Sequence, residues 1–329
     1  KIRNDMKLKE HKENLKILGS SIALGESKKL NFNIAHLFTD TAVEVPVFVE
    51  RSQKPGPTVL ITAGIHGDEV NGMEIVREVI SHGINKPDKG TIICMPIINV
   101  FGFINQSRYF PDGRDLNREF PGHKDGSLAS RFAYHFVNEI LPVADLCMDF
   151  HTGGGERFNS AQIRIERDNE DVKELAAIFD APFTLFEDKI EGSYRETCAK
   201  KGIPILLNES GKSLALDKEM CKEALDGIKR VLSYLEMLNS NFEAPEERHK
   251  NVLITQNHWI RTDHSGFLHV QIGIHEHVLK GQRLATVSDP YGSKSHIVEA
   301  SNDGYIININ HAPMVYQGDA IFHISTETA

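Results

Sequence analysis

Thr58-Val59-Leu60-Ile61-Thr62-Ala63, followed by Gly64-Ile65-His66-Gly67-Asp68-Glu69, decides how the rest of the chain is read. The first six residues form an apolar, β-branched run that reads as a buried strand. From Asp68 the period changes, and Val70, Met73, Ile75, Val76, Val79 and Ile80 make an apolar stripe at helical spacing. His66 and Glu69 therefore stand at the carboxyl end of a strand and the start of a helix, where open α/β sheets place their ligands. Glycines at 64, 67 and 72 allow a tight turn and a close backbone approach. In that setting an imidazole and a carboxylate three residues apart read as a metal pair, with zinc the expected ion. The same spacing on an arbitrary chain usually marks two surface polar residues.

Working outward, residues 91–97 are a second apolar strand, and residues 45–49 a third beyond the Lys54-Pro55-Gly56-Pro57 turn. Residues 99–124 are polar and without clear period, and a segment of that length is often functional. It carries Asn105, Arg108, Arg114, Asp115, Asn117 and Arg118. Ser127 caps a helix over 128–141. Residues 144–150 are strand-like and end in His151-Thr152-Gly153-Gly154-Gly155, a second strand end that delivers a histidine to a glycine-rich loop. Helices are expected over 170–179, 194–201 and 217–238, with short strands at 162–165 and at 203–208, the latter stopping at Glu209. Residues 1–43 read as a polar lead-in with one helix and one strand. The alternation implies an α/β fold: a doubly wound, mostly parallel sheet with helices on both faces. Past Ser240 comes a polar linker, then short β-like runs at 253–260, 266–271, 283–287, 305–309 and 320–324. The expected division is a catalytic domain over 1–246 and a small β domain over 247–329.

Composition narrows the classes. The 329 residues carry a net charge of −9, with no basic block to suit nucleic acid. No apolar run reaches membrane-spanning length. Residues 1–16 are charged and lack a signal-peptide core, although the sequence opens on Lys1 rather than Met, which leaves room for residues upstream. Cys94, Cys147, Cys198 and Cys221 are scattered, as reduced thiols of a cytoplasmic protein would be. With no CxxC pair, a zinc site here needs histidine and carboxylate ligands.

Catalytic zinc usually takes three protein ligands and keeps a position open. His66, Glu69 and His151 would supply two imidazoles and a carboxylate from strand ends on one edge of the sheet. Zinc lowers the pKa of bound water to about 7, and Glu209 is the candidate to take the proton. One arginine can stabilise an oxyanion and another can grip a carboxylate bidentately; Arg108, Arg114 and Arg118 are available. Each residue also has a plainer reading. His151 could be a buried, hydrogen-bonded histidine, Arg118 an ion-pair partner of Asp115, and Glu209 a helix cap. Asp68 suits a helix N-terminus. Asp149 shares a strand face with His151 if the strand extends that far. His269, His275 and His277 read as a solvated edge rather than a second metal site.

Gly64-Ile65-His66-Gly67-Asp68-Glu69, Asp115-Leu116-Asn117-Arg118-Glu119-Phe120-Pro121-Gly122 and Asp149-Phe150-His151, in this order, resemble the signatures of the succinylglutamate desuccinylase/aspartoacylase family, within the zinc-carboxypeptidase-like superfamily. The resemblance covers roughly residues 40–325. It implies one zinc per chain held by His66, Glu69 and His151. Arg118 beside Asn117 matches the residue that binds the substrate carboxylate, Arg108 the carbonyl-polarising arginine, and Glu209 the general base. The surroundings of Glu209, Asn208-Glu209-Ser210-Gly211, depart from the family's Glu-hydrophobe-Gly pattern. Arg114 has no counterpart in the pattern and could add positive charge to the pocket. The C-terminal region resembles a biotinyl/lipoyl barrel, but its hairpin, Ala300-Ser301-Asn302-Asp303-Gly304, has no lysine, which implies an accessory domain at the mouth of the site and not a carrier.

The implied activity is zinc-dependent hydrolysis of the amide bond in an N-acyl amino acid or related small acyl-amino compound, a deacylase acting on a small anionic substrate. The alternatives are a carboxypeptidase-type metallopeptidase and a non-catalytic zinc- or anion-binding protein on the same fold. The family often forms dimers or tetramers, so a homo-oligomer is the expected partner, with no nucleic acid and no membrane.

Overall fold

The computed structural model describes residues 11, 13–246 and 251–329. Thr58–Ala63 is a strand with all six residues buried, and the helix Val70–Ser81 follows it. Thr58–Ala63 pairs in parallel with Thr91–Met95 on one side and Leu146–Gly153 on the other. Ile205–Lys212 extends the parallel order beyond Leu146–Gly153. These four strands lie side by side within a twelve-stranded sheet, with two strands beyond them on one flank and six on the other.

The sheet is mixed. On one flank Ala42–Arg51 runs antiparallel to Thr91–Met95 and forms a long hairpin with Ser27–His36. On the other, Arg157–Ile165 runs antiparallel to Ile205–Lys212, then parallel to Phe183–Phe186. Successive residues of the central strands alternate between two apolar clusters. Leu60, Ile93, Cys147 and Ile205 pack with Phe132, Phe136 and Tyr194 of the helices Leu128–Glu139 and Tyr194–Lys200. Val59, Ile61, Ile92, Met148 and Leu206 pack with Val76, Leu175 and Ile228 of the helices on the opposite face. Burial on both faces is why these strands read as continuous apolar runs.

The strands after the linker are sewn into the same sheet. Val252–Arg261 pairs with Phe183–Phe186, Ala320–Thr328 with Val252–Arg261, and Gly304–Asn310 with Ala320–Thr328. Gly304–Asn310 then returns to pair with Arg157–Ile165, which closes a ring of five strands. A separate four-stranded sheet packs on this ring through its own apolar cluster, around Leu284, Val287, Ile306 and Phe322. The expected boundary at residue 247 lies outside the described residues.

Three expectations are corrected. The described part of residues 13–43 holds the strands Leu15–Ile17, Ser20–Ile22 and the start of the long hairpin, and no helix. The strands expected to end before His151 and Glu209 run through them, to Gly153 and Lys212. Phe183–Phe186 was not anticipated, because four apolar residues are too few to show a period.

The ring also holds a titratable group in an apolar setting. His323 is buried, stacked on Trp259 at 4.6 Å, and its Nε2 donates to Asn257 Oδ1 at 2.7 Å. Burial pushes its pKa down to about 3. The folded state therefore disfavours the proton that the unfolded chain takes up near pH 6.5, so stability is full above that pH and falls as the pH drops toward 3. Relative to His323→Gln, the wild type is expected to lose about 1.4 kcal/mol per pH unit below 6.5. Denaturant unfolding at pH 7 and pH 5 tests this: a stability difference that stays constant between the two would count against it.

Candidate active site

The chain reaches the site through two close backbone approaches. A Cβ on Gly67 would lie 1.9 Å from the Gly102 carbonyl carbon, and one on Gly72 would lie 2.4 Å from the Phe150 carbonyl oxygen. Only glycine lets the helix Val70–Ser81 lie this tightly against the strand that carries His151. Glu69 stands at the N-cap position of that helix without a side-chain cap bond, His66 sits on the turn before it, and His151 lies near the end of Leu146–Gly153.

These three side chains meet. One ligand atom from each of His66, Glu69 and His151 lies within 4.8 Å of the others, and all three residues are buried. His66 Nδ1 is 2.7 Å from Glu69 Oε1 and His151 Nδ1 is 2.8 Å from Glu69 Oε2. The far nitrogen of each ring faces its own carboxylate: His66 Nε2 lies 3.1 Å from Asp115 Oδ1, and His151 Nε2 lies 2.8 Å from Asp149 Oδ2. Asp149 is fixed in turn by the Thr62 hydroxyl at 2.7 Å. Imidazoles that offer one nitrogen to a common point while the other is anchored by a carboxylate are the arrangement of metal-ligating histidines. Charge follows the geometry. Burial opposes the Glu69 carboxylate's charge, but the two imidazoles outweigh it and hold its pKa below the ordinary range. Burial likewise opposes protonation of His66 and His151, and the facing carboxylates overcome it and raise both. A divalent cation at the common point would have to compete with protons for the same ring nitrogens. Among the described residues no other group of this kind occurs.

Arg108 lies beside the cluster. Its Nε and one terminal nitrogen bond Asp115 Oδ2 at 3.1 and 2.8 Å, and its Nη1 is 3.4 Å from Glu69 Oε1. Asp115 is therefore committed to His66 and Arg108, so the ion pair between Asp115 and Arg118 does not form. Arg118 is exposed and bonds only the neighbouring Asn117 carbonyl among the described residues. Asn117 Oδ1 accepts from the Tyr194 N–H at 2.9 Å and so ties this segment to the start of the helix Tyr194–Lys200. Arg114 does not add charge to the pocket: it is exposed and paired with Glu119 and Asp112. His269 bonds Ser288 and His277 packs edge-on against Tyr305.

Glu209 is the register partner of His151 in the adjacent strand. Its Oε2 accepts from Asn159 Nδ2 at 2.8 Å, and its Oε1 faces Arg164 Nη1 at 3.8 Å. Burial raises its pKa, and Arg164 and His151 offset part of that. A cavity of about 240 Å³ brings His66, Glu69, His151, Arg108, Arg118 and Glu209 to one space. Asn117 lines it as well, and so do Asn159, Arg164, Glu187, Trp259 and Asn308, none of which the motifs indicate. A weak signal was present for some of them: Asn159, Arg164 and Asn308 are polar residues set among the apolar residues of mixed strands.

A family model described as the succinylglutamate desuccinylase/aspartoacylase catalytic domain matches residues 55–235, which include all seven residues expected in the site. The chain belongs to this family. Among its relatives, the N-alpha-acetyl-L-2,4-diaminobutyric acid deacetylase of Halomonas elongata is 28% identical over 291 residues, 85% of each chain. Two solved structures share the fold. The ectoine utilization protein EutE (DoeB) from Ruegeria pomeroyi, in a product-bound form, has a TM-score of 0.80 at 24% identity, covering 93% of this chain and 98% of that one. A succinylglutamate desuccinylase/aspartoacylase from Rhodobacter sphaeroides has a TM-score of 0.80 at 21% identity, covering 94% and 98%. The family's mixed α/β architecture is the one described above. No helix among the described residues is long and apolar enough to cross a membrane.

Proposed function

We propose that the chain is a zinc-dependent hydrolase that cleaves the amide bond of an N-acyl amino acid or a related small acyl-amino compound, releasing the amine and a carboxylate. The observation that carries this reading is the buried His66–Glu69–His151 cluster, which shares one cavity with Glu209 and Arg108. The name of the Halomonas relative supports the deacylase chemistry. The cavity volume lies below the range of drug-sized ligand sites, which favours a small substrate over a peptide.

His66, Glu69 and His151 would hold one zinc per chain, whose Lewis acidity toward water and the scissile carbonyl is the chemistry it supplies when bound. Glu209 is the general base. Its Oε2 is occupied by Asn159, whereas Oε1 has no hydrogen-bond donor among the described residues, with Arg164 Nη1 at 3.8 Å, and is the atom that takes the proton of the attacking water. The raised pKa of Glu209 suits both that step and delivery of the proton to the leaving nitrogen. Arg108, its guanidinium fixed by Asp115, stabilises the oxyanion. Arg118, with its donors uncommitted beyond one carbonyl, grips a substrate carboxylate, assisted by the Asn117 amide. In this reading the sheet is the doubly wound, zinc-carboxypeptidase-like one, residues 1–246 carry the chemistry, and residues 247–329 are an accessory β unit of a cytoplasmic homo-oligomer.

The test is amine release by the zinc-loaded protein from a panel of N-acetyl and N-succinyl amino acids, including Nα-acetyl-L-2,4-diaminobutyrate, with short peptides alongside. Metal-dependent release from one acyl-amino acid is the expected result. Release from peptides alone would make the protein a carboxypeptidase, and silence across the panel with zinc bound would overturn the deacylase reading.

A further inference from the structure

Glu209 is held by one amide, which is itself held by a second, and the second comes from the C-terminal strands. Asn159 Nδ2 donates to Glu209 Oε2 at 2.8 Å, and Asn308 Nδ2 donates to Asn159 Oδ1. Asn159 lies on Arg157–Ile165 and Asn308 on Gly304–Asn310, and the two are ladder partners where those strands close the ring. Both are buried, at 3% and 1% exposure.

The direction of this chain is fixed by chemistry. An ionised carboxylate only accepts, so Asn159 must turn its Nδ2 to Glu209 and its Oδ1 away. The next residue must then donate, which Asn308 does through its own Nδ2. Asn308 Oδ1 has no donor among the described residues, so the bond to Asn159 is the one hydrogen bond this side chain makes. Packing alone would favour an apolar side chain over a half-used buried amide. The ladder between Ile205–Lys212 and Arg157–Ile165 shifts register between Glu209 and Gly211. By register Asn159 faces Gly211, yet its side chain reaches Glu209. Irregularities of this kind re-aim side chains beside active sites.

We propose that Asn308, acting through Asn159, is a positioning residue for Glu209: the two amides hold Oε2 so that Oε1 faces the cavity. The C-terminal strands then serve as a working part of the base and not only as an accessory wall. This inference rests on the reading of Glu209 as the general base.

The experiment measures kcat and KM, with the fastest substrate of the panel, for wild type, Asn308→Ala, Asn159→Ala, Glu209→Ala and the Asn308→Ala/Glu209→Ala double variant. Asn310→Ala is the control, since Asn310 lies on the same strand as Asn308 but its Nδ2 bonds the Ala320 carbonyl and does not reach Glu209. Asn308→Ala is expected to lower kcat about tenfold and Asn159→Ala somewhat more, with KM within about twofold of wild type. In the Glu209→Ala background Asn308→Ala should change nothing further, whereas a structural role would lower both backgrounds alike. Asn310→Ala should lower thermal stability and spare kcat. A crystal structure of Asn308→Ala should show the Glu209 carboxylate turned from its wild-type orientation. Asn308→Ser carries the same comparison if the alanine variant does not fold. An unchanged kcat or an unmoved carboxylate in the Asn308 variants, while Glu209→Ala is inactive, overturns the proposal. Full activity in Glu209→Ala itself would instead overturn the reading of Glu209 as base.

Discussion

Glu209→Gln is expected to lower kcat by about 10²- to 10⁴-fold, the usual worth of a positioned general base. The substitution keeps shape and volume and removes the ability to take a proton. It leaves untouched the atoms that would hold metal, because Glu209 reaches the cavity from its own strand and its hydrogen bond goes to Asn159, not to His66, Glu69 or His151. Zinc content and thermal stability should therefore match wild type. KM should also change little, since carboxylate binding is assigned to Arg118 and Asn117, on a different segment. The loss belongs in kcat because the proton moves only on the way to the transition state. Steady-state kinetics with zinc quantified in the same preparation checks this. A variant that keeps its zinc and more than about a tenth of wild-type kcat would show that another group takes the proton.

The sequence yielded the parts of the site that depend on local context. His66 and Glu69 are legible because a run buried on both faces gives way to a helical stripe within a few residues, and that junction tells where the sheet edge lies. His151 is legible for the same reason, although its strand runs on to Gly153. What stayed hidden depends on pairing between distant segments. Asp115 looked like a partner for the adjacent Arg118, but it turns to His66 and Arg108, and nothing in its neighbours dictates that choice. Arg114 looked like pocket charge because it precedes the motif; its side chain instead reaches Glu119 and Asp112 at the surface. The mixed order of the sheet and the closure of Gly304–Asn310 onto Arg157–Ile165 are long-range pairings that no local run of residues reports. Asn159 and Asn308 lie in strands that mix polar and apolar residues, so neither stands out until their pairing is known.

The second large effect is expected at the cluster itself. Glu69→Ala should abolish stoichiometric zinc binding and, with it, amine release, because Glu69 is the one group that both imidazoles face, at 2.7 and 2.8 Å. Asp149→Asn should act more mildly, costing about 10- to 100-fold in zinc affinity or activity. Its carboxylate does not face the common point; it fixes the orientation of the His151 ring and strengthens the ring as a donor. The graded pair separates a metal site from a structural ion-pair network. If His66, Glu69 and His151 served only to hold strand ends together, both substitutions would lower stability and neither would alter zinc content. Removing metal from the wild type by chelation should, by contrast, stop amine release and leave the fold intact. Without the ion Glu69 still bridges the two rings at 2.7 and 2.8 Å, and Asp115 and Asp149 still hold the outer nitrogens. Zinc titration by competition with a chromogenic chelator, run beside thermal unfolding, gives both readouts. Equal zinc affinity in wild type and Glu69→Ala would remove the metal from this site.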